Sequence, residues 1–79
     1  MYSVSLSNQD CIFDSADGFA TAKDAMVWAL GRGGKYVAQI QNDDVDGAFH
    51  SFSVSDDCIR TFDGWDWVDV NLDDISKYI

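Results

Sequence analysis

One stretch of this chain has helical periodicity, and the stretches on either side of it alternate with a period of two. Ala22, Ala25, Met26, Ala29 and Leu30 recur at the spacing that lines one face of a helix. Before it, Tyr2, Val4 and Leu6 alternate with Ser3, Ser5 and Ser7, the pattern of a half-buried strand. After it, Tyr36, Ala38 and Ile40 alternate within a strand over Lys35 to Gln41. A further strand runs from Ala48 to Ser55, with His50, Phe52 and Val54 opposite Phe49, Ser51 and Ser53. A single helix flanked by strands of this kind must bury its stripe on their apolar faces. The fold class predicted is α+β, one helix packed on an antiparallel sheet in the approximate order β-α-β-β-β.

The connections carry the expected turn chemistry. A loop is predicted from the end of the first strand through Asp17-Gly18, so that Asp10, Asp14 and Asp17 fall outside regular structure. Thr21 offers a hydroxyl N-cap, with Asp24 three residues on in a capping-box position. Gly31-Arg32-Gly33-Gly34 is expected to end the helix through the left-handed conformation that glycine accepts. Residues 42–47 and Ser55-Asp56-Asp57 are turns. Short strands are predicted at Ile59–Phe62 and Trp67–Val70. Asn71-Leu72-Asp73-Asp74 is expected to cap a terminal helical turn with Leu72, Ile75 and Ile79 inward.

With 79 residues there is room for one domain, over 1–79, and for a thin core. A chain this short buries only about 60–65% of its unfolded surface, so its eleven aromatic residues must supply much of the interior. A deep enclosed cleft does not fit that size. No apolar run approaches the roughly 18 residues of a membrane span, and Met1-Tyr2-Ser3-Val4 lacks the basic start of a signal peptide. Cys11 and Cys58 are too few for a disulfide-stapled scaffold and lack zinc-site spacing. Free thiols and the cytoplasm of a host cell are expected; a bridge stays open if the two cysteines lie adjacent.

Charge is the compositional outlier. The net charge is −9, and every one of the fourteen acids is Asp. Residues 1–42 hold four Asp against Lys23, Arg32 and Lys35; residues 43–74 hold ten Asp against Arg60 alone. Asp carries its charge close to the backbone on few rotors, so less side-chain entropy is lost in holding it still. On strand ends and turns, carboxylates can stand at separations comparable to neighbouring phosphates: about 6.6–7 Å along a strand face and about 4.8 Å between strands. Such a surface can compete with nucleic acid for a Lys/Arg-lined groove. The candidate partner-binding residues are Asp43, Asp44, Asp46, Asp56, Asp57, Asp63, Asp66, Asp69, Asp73 and Asp74, with Trp65 and Trp67. The two tryptophans, two residues apart, are expected to share a strand face among Asp63, Asp66 and Asp69. Against this stands the ordinary use of Asp in turns and for solubility.

Other chemistries find less support. Asn42, Asp44, Asp46 and Gly47 match part of a calcium loop, but the twelfth position is Ser53 and a hairpin turn explains the same residues. No metal or cofactor is expected. His50 and Cys58 sit in no nucleophile motif, and Gly31–Gly34 follows a helix, the reverse of a phosphate loop. The residues do not suggest an enzyme.

The short alternating strand Tyr2–Ser7, the Ala-rich helix Ala22–Leu30 with its Gly31–Gly34 exit, and the Asp-loaded C-terminal half together resemble the small anti-CRISPR proteins of phages and mobile elements. The likeness spans the chain as a type and contains no diagnostic motif, so no site residue is carried over from it. The resemblance implies an inhibitor that binds a CRISPR effector, such as a type I Cascade complex, and blocks its target-DNA groove. An anti-restriction DNA mimic, or a small antitoxin-type regulatory module on a basic partner, would have the same features. None of the three would bind nucleic acid or a membrane directly.

Overall fold

The computed structural model describes residues 1–9 and 11–79. Its elements are β1 (Tyr2–Asn8), β2 (Cys11–Phe19), α1 (Ala22–Leu30), β3 (Lys35–Asn42), β4 (Phe49–Ser55), β5 (Cys58–Phe62), β6 (Trp67–Asp69) and a terminal 3-10 helix (Leu72–Tyr78). The six strands form one antiparallel sheet in the order β2-β1-β3-β4-β5-β6, with α1 packed against it. The fold is α+β. No helix among the described residues is long and apolar enough to cross a membrane.

The order β-α-β-β-β has four strands and the sheet has six: β2 is an addition before the helix, and both short strands expected near residues 59–62 and 67–70 join the sheet as β5 and β6. Residues 11–18, within the expected loop, form β2 together with Phe19 and pair with β1 as a hairpin. Asp14 and Asp17 therefore lie in a strand; Asp10, assigned to the same loop, lies outside the described residues. The segment hides its nature because β2 is an edge strand with little burial on either side. Its register also shifts twice against β1. One shift lies between Tyr2↔Phe19 and Val4↔Ala16, where Gly18 adopts φ +82°, a conformation that glycine takes without steric cost. Bulges and strand aspartates also discourage pairing of this exposed edge with other chains.

The helix begins as expected. The Thr21 hydroxyl accepts the backbone N–H of Asp24 at 3.0 Å. The Gly31–Gly34 segment ends the helix as expected, with the left-handed geometry at Gly33 and Gly34 (φ +71° and +93°) while Gly31 itself is right-handed (φ −66°). The helix stays right-handed through Gly31 because the N–H groups of Gly31 and Arg32 still reach the carbonyls of Val27 and Ala29. Ala22, Ala25 and Ala29 are buried with Met26, and their small side chains let α1 lie close on β1 and β3.

The core lies between the sheet and the helical layer. Val4 and Leu6 of β1, Tyr36, Ala38 and Ile40 of β3, Phe52 and Val54 of β4 and Ile59 of β5 point into it. The 3-10 helix packs beside α1 and contributes the fully buried Ile75. Tyr78 lies edge-on to Phe52, with ring centroids 5.8 Å apart. The Tyr36 hydroxyl donates to the Ala29 carbonyl and ties β3 to the end of α1. Thr61 is the one buried polar residue of the described set, and its hydroxyl donates to the Ser51 carbonyl at 3.3 Å.

Nothing among the described residues covers the other face of the sheet. Ser3, Ser5 and Ser7 of β1, Val37, Gln39 and Gln41 of β3, and Phe49, Ser51 and Ser53 of β4 follow the register onto this open face. Arg60 and Phe62 of β5 and Trp67 and Asp69 of β6 continue it.

Candidate functional site

Strand direction decides where the second-half acids go. The β3–β4 turn, with Asp43, Asp44 and Asp46, and the β5–β6 turn, with Asp63 and Asp66, emerge at the same end of the sheet. The two turns are separated by about two strand spacings, roughly 10 Å. Neither contains a basic residue. Asp56 and Asp57, in the β4–β5 turn, lie at the opposite end. The ten candidate acids thus form no single cluster: five share one end and two the other. The remaining three, Asp69, Asp73 and Asp74, lie elsewhere and are paired with cations.

Those pairs are all exposed. Arg60 donates to Asp69 at 3.0 Å on the open face. Lys23 of α1 meets Asp73 at 2.6 Å, and Lys77 meets Asp74 at 3.0 Å within the 3-10 helix. The hydrogen bond and charge of Lys23 hold the Asp73 carboxyl below the ordinary range. Asp73 in turn raises the Lys23 ammonium, and Asp74 raises that of Lys77. These three acids spend much of their field within the molecule.

The turn acids divide between local structure and free charge. The Asn42 side chain accepts the backbone N–H of Asp44 at 3.0 Å, so its carbonyl oxygen shapes the turn. Asp44 pairs with the Met1 ammonium, and Asp43 accepts the Ser3 hydroxyl at 2.9 Å. Among the described residues no group of three or more His, Cys or Asp side chains is arranged to hold a metal ion. In the second turn, Asp63 accepts the backbone N–H groups of Asp66 at 2.9 Å and Trp65 at 2.8 Å. Those two donors, Asp66 first, hold its carboxyl below the ordinary value. The Asp46 and Asp66 side chains make no hydrogen bond or ion pair among the described residues. At the far end Asp56 occupies left-handed backbone (φ 55°), which Asp tolerates better than most residues, and its N–H donates to the Gly34 carbonyl at 2.9 Å.

The tryptophans separate. Trp65 belongs to the β5–β6 turn and is 90% exposed, while Trp67 opens β6. The expected shared strand face fails because the Asp63 turn consumes residues 63–66, so alternation begins only at Trp67. Trp67 instead pairs across strands with Phe62, ring centroids 5.7 Å apart and tilted by 52°. Both rings are more than half exposed. They border a shallow depression of about 280 Å³ whose open-face lining includes Val37, Ser51 and Ser53. Phe49 is exposed on the same face. Phe62, Val37 and Phe49 were absent from the candidate residues. Their sign in the sequence is an apolar residue on the serine side of a strand alternation.

His50 stands on the covered side. Its Nε2 lies 2.6 Å from the Thr61 hydroxyl, and its ring is 4.9 Å from Phe52 and 5.1 Å from Tyr78. Since Thr61 donates to Ser51, the consistent arrangement has Nε2–H donating to Thr61. Burial lowers the His50 pKa below its ordinary value. Cys11 and Cys58 are both free and exposed.

In comparison with known proteins, no family model matches this chain, and no curated protein or solved structure matches it significantly.

Proposed function

We propose that this protein is a non-enzymatic inhibitor that binds a cationic, nucleic-acid-binding protein and occupies the surface that partner uses for phosphates. The observation that carries this reading is the convergence of Asp43, Asp44, Asp46, Asp63 and Asp66 in two turns at one end of the sheet, with no base in either turn. The turns emerge from a rigid sheet, so ordering these charges costs less on binding than fixing them on a disordered tail. By charge alone the chain is repelled by phosphate and attracted to the surfaces that bind it. The resemblance to anti-CRISPR proteins makes a CRISPR effector the specific target we propose, with its target-DNA groove as the surface occupied. Asp56, Asp57, Asp69, Asp73 and Asp74 then add to the long-range field without forming the contact.

The test is competition with target DNA for such an effector. Asp43→Asn, Asp46→Asn and Asp66→Asn in one chain remove three charges while keeping a turn-compatible side chain. An exposed carboxylate–cation pair is worth up to about 1 kcal/mol, so the triple variant should bind about tenfold to a hundredfold more weakly at low salt. The difference should shrink as salt is added. Asp14→Asn and Asp17→Asn together should change little. Equal losses from both sets, or none from either, would sink the reading.

A further inference from the structure

An aromatic ring with a carboxylate beside it is how this chain holds one of its own arginines. The guanidinium of Arg32 lies 5.2 Å from the centre of the Trp28 ring, and the same group reaches Asp14 at 2.6 Å. The open face of the sheet presents the same two components to an outside group. Phe62 and Trp67 form an exposed aromatic pair over the shallow depression. The turn that joins their strands carries Asp63, Asp66 and the projecting Trp65.

The charge of the molecule selects among occupants for this face. A second copy would bring another net −9 against the first, and a symmetric contact would set like turns near like turns. Bases of single-stranded nucleic acid stack well on exposed rings, yet their phosphates would meet the two acidic turns. An anionic membrane surface meets the same opposition. An arginine-bearing protein surface satisfies both parts together. The guanidinium is planar, weakly hydrated and suited to stacking, and its edge N–H groups match a carboxylate. Lysine offers a point charge that gains less from the rings. Asp63 is occupied in holding the turn through its Oδ1, whereas the Asp66 side chain has no hydrogen-bond partner among the described residues.

We propose that the Phe62–Trp67 depression, together with the acidic Asp63–Asp66 turn that joins its two strands, is an arginine-accepting site that anchors a basic protein partner on the open face of the sheet. This rests on the reading that the acidic surface binds such a partner, and adds to it a stacking pocket that distinguishes arginine from lysine.

The experiment titrates the intact protein with hexa-arginine and with hexa-lysine at matched ionic strength, followed by two-dimensional NMR of the backbone amides and tryptophan indoles. Hexa-arginine should shift the Trp67 indole and the Phe62 and Trp67 amides, and should bind about threefold to fivefold tighter than hexa-lysine. Trp67→Thr, which keeps a strand-compatible side chain, should remove the preference; Asp66→Asn should weaken both peptides. Equal binding with the Trp67 and Phe62 signals unmoved would overturn the arginine site while leaving the acidic-surface reading intact. No binding of either peptide at low salt would defeat both. A shift of the Trp67 indole by oligouridylate would make the face a base-stacking surface and overturn the proposal. The spectra of the unmodified protein decide the matter even if a variant fails to fold.

Discussion

The covered face of the sheet carries Val4, Leu6, Tyr36, Ala38, Ile40, Phe52 and Val54, all buried. The open face, built from the alternate residues of the same strands, carries serines, glutamines and the exposed Val37, Phe49, Phe62 and Trp67. Both faces share one backbone and one hydrogen-bond ladder, so the contrast belongs to the side chains. Packing against α1 leaves the covered face little choice of residue. The open face is under no such restraint, and four large apolar residues there do little for the fold. That asymmetry is the reason to look for a partner on the open side.

The strongest way to break this contrast is to truncate matched residues on the two faces. Phe52 is fully buried, and Phe52→Ala should cost about 3–5 kcal/mol, a large part of the total stability of so small a domain. Phe62→Ser on the open face should cost about 1 kcal/mol or less. Urea denaturation of the two variants measures both. Similar losses would mean that the open-face aromatics are structural, and the case for a docking surface would weaken.

A smaller effect sharpens the comparison from the covered side. Thr21→Ala removes the acceptor for the Asp24 N–H and should cost about 1 kcal/mol, with Thr21→Ser recovering most of it. Tyr36→Phe deletes the hydroxyl that donates to Ala29 and should cost about 0.5–1.5 kcal/mol. Thermal midpoints of the three variants check both. Loss at Tyr36 without loss at Thr21 would place the restraint on α1 at its end, not its start.

The same contrast explains what could be read from the residues in advance. β1, β3 and β4 announce themselves because one side is pressed against a core, which enforces strict alternation. β2 escapes because an edge strand with two register shifts has no comparable enforcement; Asp14, Asp17 and Gly18 look like loop chemistry. The charge partition was legible by counting, yet its spatial outcome was not. Which turns share an end depends on strand direction and how far apart they lie on strand order, and which acids are paired depends on distant bases such as Lys23, fifty residues from Asp73. A period count puts Trp65 and Trp67 on one face because the Asp63 hydrogen bonds that make residues 63–66 a turn are invisible to it.

The pH dependence should separate the partly buried His50 from the exposed acids. Burial lowers the His50 pKa on the covered side, so between the folded value and the ordinary 6.5 the unfolded chain binds the extra proton. Stability is then complete above about 6.5 and declines as pH falls from there toward the folded value. Asp63 and Asp73 have lowered pKa values, so their contributions are present above the ordinary 3.8 and are lost as pH falls through the folded values. Denaturation midpoints across pH 3 to 8 should therefore show two acid steps, and His50→Gln should remove only the upper one. An upper step that survives that substitution would assign it to another group.

The smallest effect expected is at the Arg60–Asp69 pair, the one ion pair on the open face among the described residues. Both side chains are mostly exposed, at 58% and 80%. Water screens their attraction, and holding two mobile side chains together costs entropy that offsets much of the gain. A double-mutant cycle with Arg60→Gln and Asp69→Asn should give a coupling of at most about 1 kcal/mol, vanishing at high salt. Arg60 and Asp69 also line the recess that Ser53, Ser55, Asp56 and Cys58 form toward the far end of the sheet. A weak coupling means that Asp69 can leave Arg60 for a cation on a partner without loss to the fold. A coupling of several kcal/mol, insensitive to salt, would make the pair part of the scaffold and confine the binding surface to the Asp63–Asp66 end.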